Sequence, residues 1–164
     1  VLHSSPNGLD AVRAQALEPD VRFRWVTTEE VEQEGQAFAQ FFMDAALNTF
    51  GLFHPRDILA RTFDCTLMMC AIYDVNAAVI EGVLWFQRLK TPGGEIADAA
   101  FVSIQQGKVC TEPLWRGAWR GICESLAELG CERVQIAGPS HLGVLLGLQP
   151  IAHQYATMLR KREG

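Results

Sequence analysis

Apolar and polar positions change period several times along the chain, and each change marks an element. Arg22-Phe23-Arg24-Trp25-Val26 alternates polar and apolar side chains, as a half-buried strand does. Thr27-Thr28-Glu29-Glu30 follows, with Thr27 placed to cap a helix and Glu30 placed to complete a capping box. Val31, Phe38, Phe41, Phe42, Ala45 and Ala46 then recur at helical spacing, which predicts one helix running to about Phe50, with Gly51 as its stop. His54-Pro55-Arg56-Asp57 starts a second, shorter helix, because proline is tolerated in a first turn whose N–H has no partner. Phe41, Phe42, Phe50 and Phe53 are expected in the core or at an interface.

The middle of the chain turns to β patterns. Cys65 to Tyr73 reads as a buried strand, Asp74-Val75-Asn76 as a turn, and Val79 to Leu89 as a second strand. Thr91-Pro92-Gly93-Gly94 is a hairpin turn, and Glu95 to about Val109 is the strand that returns. A helical period resumes from about Arg116 to Leu129 and stops at Gly130. Cys131 to Ala137 is a further strand with Val134 and Ile136 inward. Gly138-Pro139-Ser140 leads into a helix ending at Gly147, and Ile151 to Leu159 closes the chain as a strand. Residues 1–20, rich in small residues and ending near Pro19, read as an N-terminal arm. Residues 21–164 read as one domain of order β, α, α, β, β, β, α, β, α, β.

Composition narrows the function classes. The chain has 164 residues, 49% of them apolar and 20% charged, enough for one packed core and too few for two. Its net charge of −5, with no basic run before Arg160-Lys161-Arg162, argues against nucleic acid or an anionic membrane as partner. The longest apolar run is about half of what a spanning helix needs. No basic stretch leads into a long apolar one, so no secretory signal is expected. The five cysteines include no paired CxxC spacing; free thiols in a reducing cytoplasm are expected, and no metal site.

The most informative segment is Pro113-Leu114-Trp115-Arg116-Gly117-Ala118-Trp119-Arg120-Gly121, placed where a strand gives way to a helix. Free N–H groups at such a junction attract phosphate oxygens. With the element order, the segment resembles the GNAT superfamily of N-acetyltransferases, whose Pro-x-x-Arg-Gly-x-Gly-x-Gly loop cradles the acyl-CoA pyrophosphate. Pro113, Arg116, Gly117 and Gly121 match. Leu145-Leu146-Gly147-Leu148 is similar to the Leu-Gly-Phe segment that ends the family's last helix. The resemblance covers roughly residues 22–160. It implies an α/β (α+β) fold with a mixed, mainly antiparallel sheet flanked by helices. It also implies acetyl-CoA as donor, held by Arg116, Gly117, Ala118 and Gly121, with the Val109 to Thr111 backbone pairing with the pantetheine arm.

Three positions depart from that pattern. Trp119 stands where the loop has glycine for close approach to pyrophosphate. Val144 stands where the family has its proton-donating tyrosine. Ser103 and Gln105 stand where a glutamate base is common, and neither titrates near neutral pH. Glu81 or Glu95 is the substitute base, acting through water, and Tyr155, on one strand face with His153, is the substitute acid. Trp115 and Trp119, four residues apart, read first as packing and second as a plug over the cofactor position. Two other constellations are weaker. Ser140 sits on a strand-to-helix turn, but Leu142 replaces the second glycine of a nucleophile elbow, and an N-cap is the simpler role. Cys110 has no spacing that selects His141 or His153 as a partner.

Two functions follow from the resemblance. One is an acyl-CoA-dependent N-acyltransferase acting on a small-molecule or protein amine. The other is an inactive GNAT-like domain, a structural or interaction component of the kind also found in bacteriophages, meeting a protein partner or a second copy through the arm and first helix.

Overall fold

The computed structural model describes residues 19–104 and 112–137. The arm before Pro19, the expected helix to Gly147 and strand to Leu159, and the segment 105–111 lie outside them. The order is β1 (Val21–Trp25), α1 (Thr28–Gln33), α2 (Gly35–Leu47), α3 (Pro55–Phe63), β2 (Met68–Asp74), β3 (Val79–Thr91), β4 (Gly94–Ile104), α4 (Glu112–Glu128) and β5 (Arg133–Ile136).

Local chemistry sets the helix starts. Thr27 accepts from the Glu30 N–H at 3.2 Å, while the Glu30 carboxylate pairs with Arg24 of β1. His54 accepts from the Arg56 N–H, Asp57 accepts from the His54 N–H, and Pro55 takes the first turn. The single first helix expected from periodicity is instead two. Glu34, at φ −110° and ψ 27°, closes α1 by bonding Glu30 and opens α2 at Gly35. Glycine is a poor helix-interior residue, so the break falls beside it. The strand expected from Cys65 starts later, at Met68. Asp64 turns the chain by accepting from the Thr66 N–H at 2.9 Å, and Cys65 has a φ of 63°.

The five strands form one sheet in the order β1-β2-β3-β4-β5, antiparallel except for the parallel pair β4 and β5. Alternation along the strands gives each face its own apolar set. Cys70, Ile72, Leu84, Phe86, Ala97 and Ala99 pack against Trp115, Ala118, Trp119, Ile122 and Leu126 of α4. Met69, Val83, Trp85 and Phe101 pack against Val31, Phe38, Phe41, Phe42 and Ile58 of the first three helices. The sheet is thus a buried middle layer. Two glycines let the layers approach. A Cβ on Gly82 of β3 would lie 3.0 Å from the Trp115 ring, and one on Gly121 of α4 would lie 2.5 Å from the Phe23 ring. Trp25 ties the edge strand to the same helix, its indole donating to the Ser125 hydroxyl at 2.8 Å. Among the described residues no helix is long and apolar enough to cross a membrane.

Candidate active site

Among the described residues, β4 is paired on both edges for only part of its length. On one side it follows β3 from Gly94 to Ile104; on the other it meets β5 only from Ile96 to Ala99. The change coincides with a bulge. Phe86 pairs with Ala99 and Trp85 with Phe101, so Ala100 is an extra residue. The bulge inverts the alternation: Ala97 and Ala99 belong to the α4 face, and so do Val102 and Ile104, while Phe101 belongs to the opposite face. Beyond it, the Val102 carbonyl accepts from the Asn48 side chain at 3.0 Å.

The connector between α2 and α3 lies over this part of β4. Phe53 stacks edge-on against Phe101 with centroids 5.0 Å apart, and Asn48 makes the bond to Val102. Thr49 holds the connector's shape, its hydroxyl donating to the Ala46 carbonyl at 2.6 Å and accepting from the Phe53 N–H at 3.2 Å. A separate, largely apolar cavity of about 380 Å³ lies between α2 and α3, lined by Phe42, Met43, Leu59 and Phe63 among others. None of its lining residues belongs to β4.

The Gly-containing segment expected as a loop is helical. α4 begins at Glu112, about four residues earlier than periodicity predicts, so Arg116, Gly117, Ala118 and Gly121 all lie within it. From the fifth residue of a helix onward, each amide bonds the carbonyl four residues back. The amides of Gly117, Ala118 and Gly121 are therefore spent inside the helix, which corrects the loop cradle built on them. The physical cause is the apolar stripe, which already begins at Trp115 and continues through Ala118, Trp119, Ile122 and Leu126. Arg116, Gly117 and Arg120 are exposed, Ala118 is buried, and Gly121 is half-buried against Phe23.

Both tryptophans take the packing role. Trp115 is 2% exposed and Trp119 5%, and Trp119 lies with its ring centroid 6.4 Å from that of Phe86. The Trp119 indole therefore fills the core. The Trp115 indole nitrogen has no hydrogen-bond partner among the described residues.

Glu81 is buried at a second bulge. Ile72 pairs with Gly82 and Tyr73 with Ile80, leaving Glu81 as the extra residue of β3. Ser103 is wholly buried on β4, and its hydroxyl has no partner among the described residues. Glu95 is spent at the far end of the hairpin, in an ion pair with Arg88 at 2.8 Å. Burial pushes the Cys70 thiol up to about 12 and raises Cys123 as well, so neither is a ready nucleophile. Val109, Thr111 and Tyr155 lie outside the described residues, as do Gln105, Cys110, Ser140, His141, Val144 and His153. Sequence reasoning missed Asn48 and Ala100. Asn48 follows a helical run and carries no pattern, and a bulge at a small residue leaves alternation of size unmarked.

No protein-family model matches the chain, and no curated protein matches it in sequence. Solved structures do match in shape. An aminoglycoside acetyltransferase from an uncultured soil metagenomic sample, in complex with sisomicin, is 10% identical, with 87% of this chain and 95% of that one covered and a TM-score of 0.58. Glucosamine-6-phosphate N-acetyltransferase from Arabidopsis thaliana is 11% identical over 85% of this chain and 99% of its own, with a TM-score of 0.55. A GNAT family acetyltransferase from Staphylococcus aureus is 12% identical over 85% and 99%, with a TM-score of 0.56. The likeness is one of backbone course, shared across acetyltransferases from distant sources, and so this chain has the fold of the GNAT acetyltransferases.

Proposed function

We propose that the chain is an acyl-CoA-dependent N-acyltransferase acting on an amine. The observation that carries this reading is the way β4 outruns β5. Among the described residues, pairing stops at Ala99 and Ile136, a bulge follows at Ala100, and β4 continues to Ile104. An extended arm such as pantetheine can add to a strand edge of this kind, and a bulge presents backbone N–H where a developing oxyanion needs it. Names of solved relatives that act on aminoglycosides and on glucosamine 6-phosphate support an amine acceptor.

Acyl-CoA fits the strand edge and the first turn of α4 better than it fits the Gly-containing segment. In a helix starting at Glu112, the first-turn N–H groups of Glu112 and Leu114 have no intrahelical acceptor, and Pro113 has none to give. Arg116 and Arg120, exposed one turn apart, add positive charge for phosphates against the net −5 of the chain. Gly117 has no neighbour within 4 Å of its Cβ position, so a ligand can pass close to the helix there. Val109 and Thr111, next along the chain from β4 toward α4, are the backbone assigned to the pantetheine arm.

Bound acyl-CoA supplies the activated thioester. The chain's part is to orient the amine, remove its proton and return one to the departing sulfur as the nitrogen–carbon bond replaces the carbon–sulfur bond. Glu81, buried at its bulge, is the carboxylate assigned to accept the amine proton through water. Tyr155 is assigned the returning proton. Proximity at the strand edge supplies much of the remaining acceleration.

A non-catalytic binding domain is the second reading, favoured by the amides of Gly117, Ala118 and Gly121 being committed within α4. Thermal melting with and without millimolar acetyl-CoA separates the two. A ligand at a hundred times its Kd adds about 2.7 kcal/mol, which raises Tm by several degrees in a domain of this size. An unshifted melting curve removes the acyltransferase reading.

A further inference from the structure

We propose that the cavity between α2 and α3 is a binding site for a medium-chain carboxylate, with the alkyl chain in the groove and the carboxylate at the start of α3. The inference is independent of the acyltransferase reading, since no residue of β4 lines the cavity.

The groove exists because each helix carries a second apolar row besides the one that faces the sheet. On α2, Phe38, Phe41 and Ala45 are buried in the core, while Gly35, Ala39 and Met43 recur every four residues along the cavity. On α3, Ile58 and Thr62 are buried, and Pro55, Leu59 and Phe63 form the matching row. Gly35 and Ala39 are too small to fill the space between the rows; a Cβ on Gly35 would meet nothing within 4 Å. Met43 and Phe63 consequently stand 51% and 40% exposed. The row from Pro55 to Phe63 spans about 12 Å at about 1.5 Å per residue, close to the extended length of a chain of about nine carbons. A volume of about 380 Å³ is within the range of small-molecule sites, which are likewise mostly apolar with few polar groups.

Charge selects the head group. Among the described residues, His54 and Arg56 are the polar lining, both at the start of α3, and no carboxylate lines the cavity. The Arg56 guanidinium has no ion pair or hydrogen bond among the described residues. His54 Nδ1 accepts from the Arg56 N–H at 3.2 Å, which leaves the ring proton on Nε2 as a donor. The adjacent carboxylate, Asp57, is engaged by the His54 N–H at 2.9 Å. One guanidinium fork beside one neutral donor matches a single carboxylate, whereas an anionic bilayer calls for a cluster of basic residues. An ammonium head would meet Arg56 with no counter-charge.

The experiment uses the full chain near neutral pH. Binding of hexanoate, octanoate and decanoate is measured by titration calorimetry, with decyltrimethylammonium as the same tail carrying the opposite charge. Affinity is expected to rise about two- to fourfold per added methylene, as each leaves water. Decanoate should bind at least about tenfold more tightly than the cation. Arg56→Gln should weaken decanoate about tenfold and erase the preference for the anion, at unchanged Tm, because the exposed guanidinium holds nothing else. Ala39→Phe, which places a ring in the groove from an exposed helix position, should abolish decanoate binding without lowering Tm. No decanoate binding, no rise along the series, equal affinity for the cation, or undiminished decanoate affinity in either variant overturns the proposal.

Discussion

On the α4 side of the sheet, large side chains are spent inward: Trp115, Trp119, Ile122 and Leu126 are all buried against β2, β3 and β4. On the other side the centre is equally full, with Phe38, Phe42, Trp85 and Phe101, but the helices end in a connector whose aromatic and aliphatic residues face water. The same residue types therefore serve two purposes. A stripe at helical spacing is burial, because every third or fourth side chain returns to the sheet. A cluster between helices has no such return, and its side chains stay in water.

The largest expected effect comes from removing a member of the buried stripe. Trp119→Ala should cost about 3–5 kcal/mol in urea unfolding, the range for emptying a large aromatic site in a packed core. That loss would fix Trp119 as core and close the idea of a plug. A cost below about 1 kcal/mol would mean the indole sits at the surface and the contrast between the two faces is misdrawn.

A finer test compares two glycines in one helix. Replacing a helix-interior glycine by alanine gains up to about 1 kcal/mol from propensity alone. At Gly117 the added methyl meets nothing within 4 Å, so Gly117→Ala should stabilise by about that amount. At Gly121 it meets the Phe23 ring at 2.5 Å, and overpacking of about 1–3 kcal/mol should outweigh the gain. Opposite signs in denaturant melts confirm that Gly121 is there for helix–sheet contact. If Gly117→Ala also abolishes an acetyl-CoA-induced rise in Tm, the outer side of α4 is part of the donor site.

What the amino-acid pattern made legible was whatever depends on near neighbours. Alternation located β1, Thr27 and His54 marked helix starts, and Thr91 to Gly94 marked the hairpin, because each signal acts over a few residues. Features set by distant partners were not legible. The bulges at Glu81 and Ala100 appear only when one strand is laid against another. Asn48 gains its meaning from Val102, 54 residues away. The helical course of Arg116 to Gly121 shows a conflict between two local signals. Two glycines and a proline suggested a turn, but a stripe of buried side chains beginning at Trp115 gains more from staying helical than the glycines lose. Arg116 and Gly117 still came out exposed, on the side of α4 away from the sheet.

The smallest expected effect bears on the opposite end of the comparison. Phe50 contributes almost no buried area, so Phe50→Asn removes little hydrophobic stabilisation, and asparagine accepts a φ of 56° more readily than phenylalanine does. The two terms are both small and oppose each other, which places the change within about 0.5 kcal/mol of zero. Scanning calorimetry of the variant beside Trp119→Ala reads the difference directly. A loss above about 1 kcal/mol at Phe50 would mean that the ring covers apolar surface in the folded chain, and the connector would then belong to the core after all.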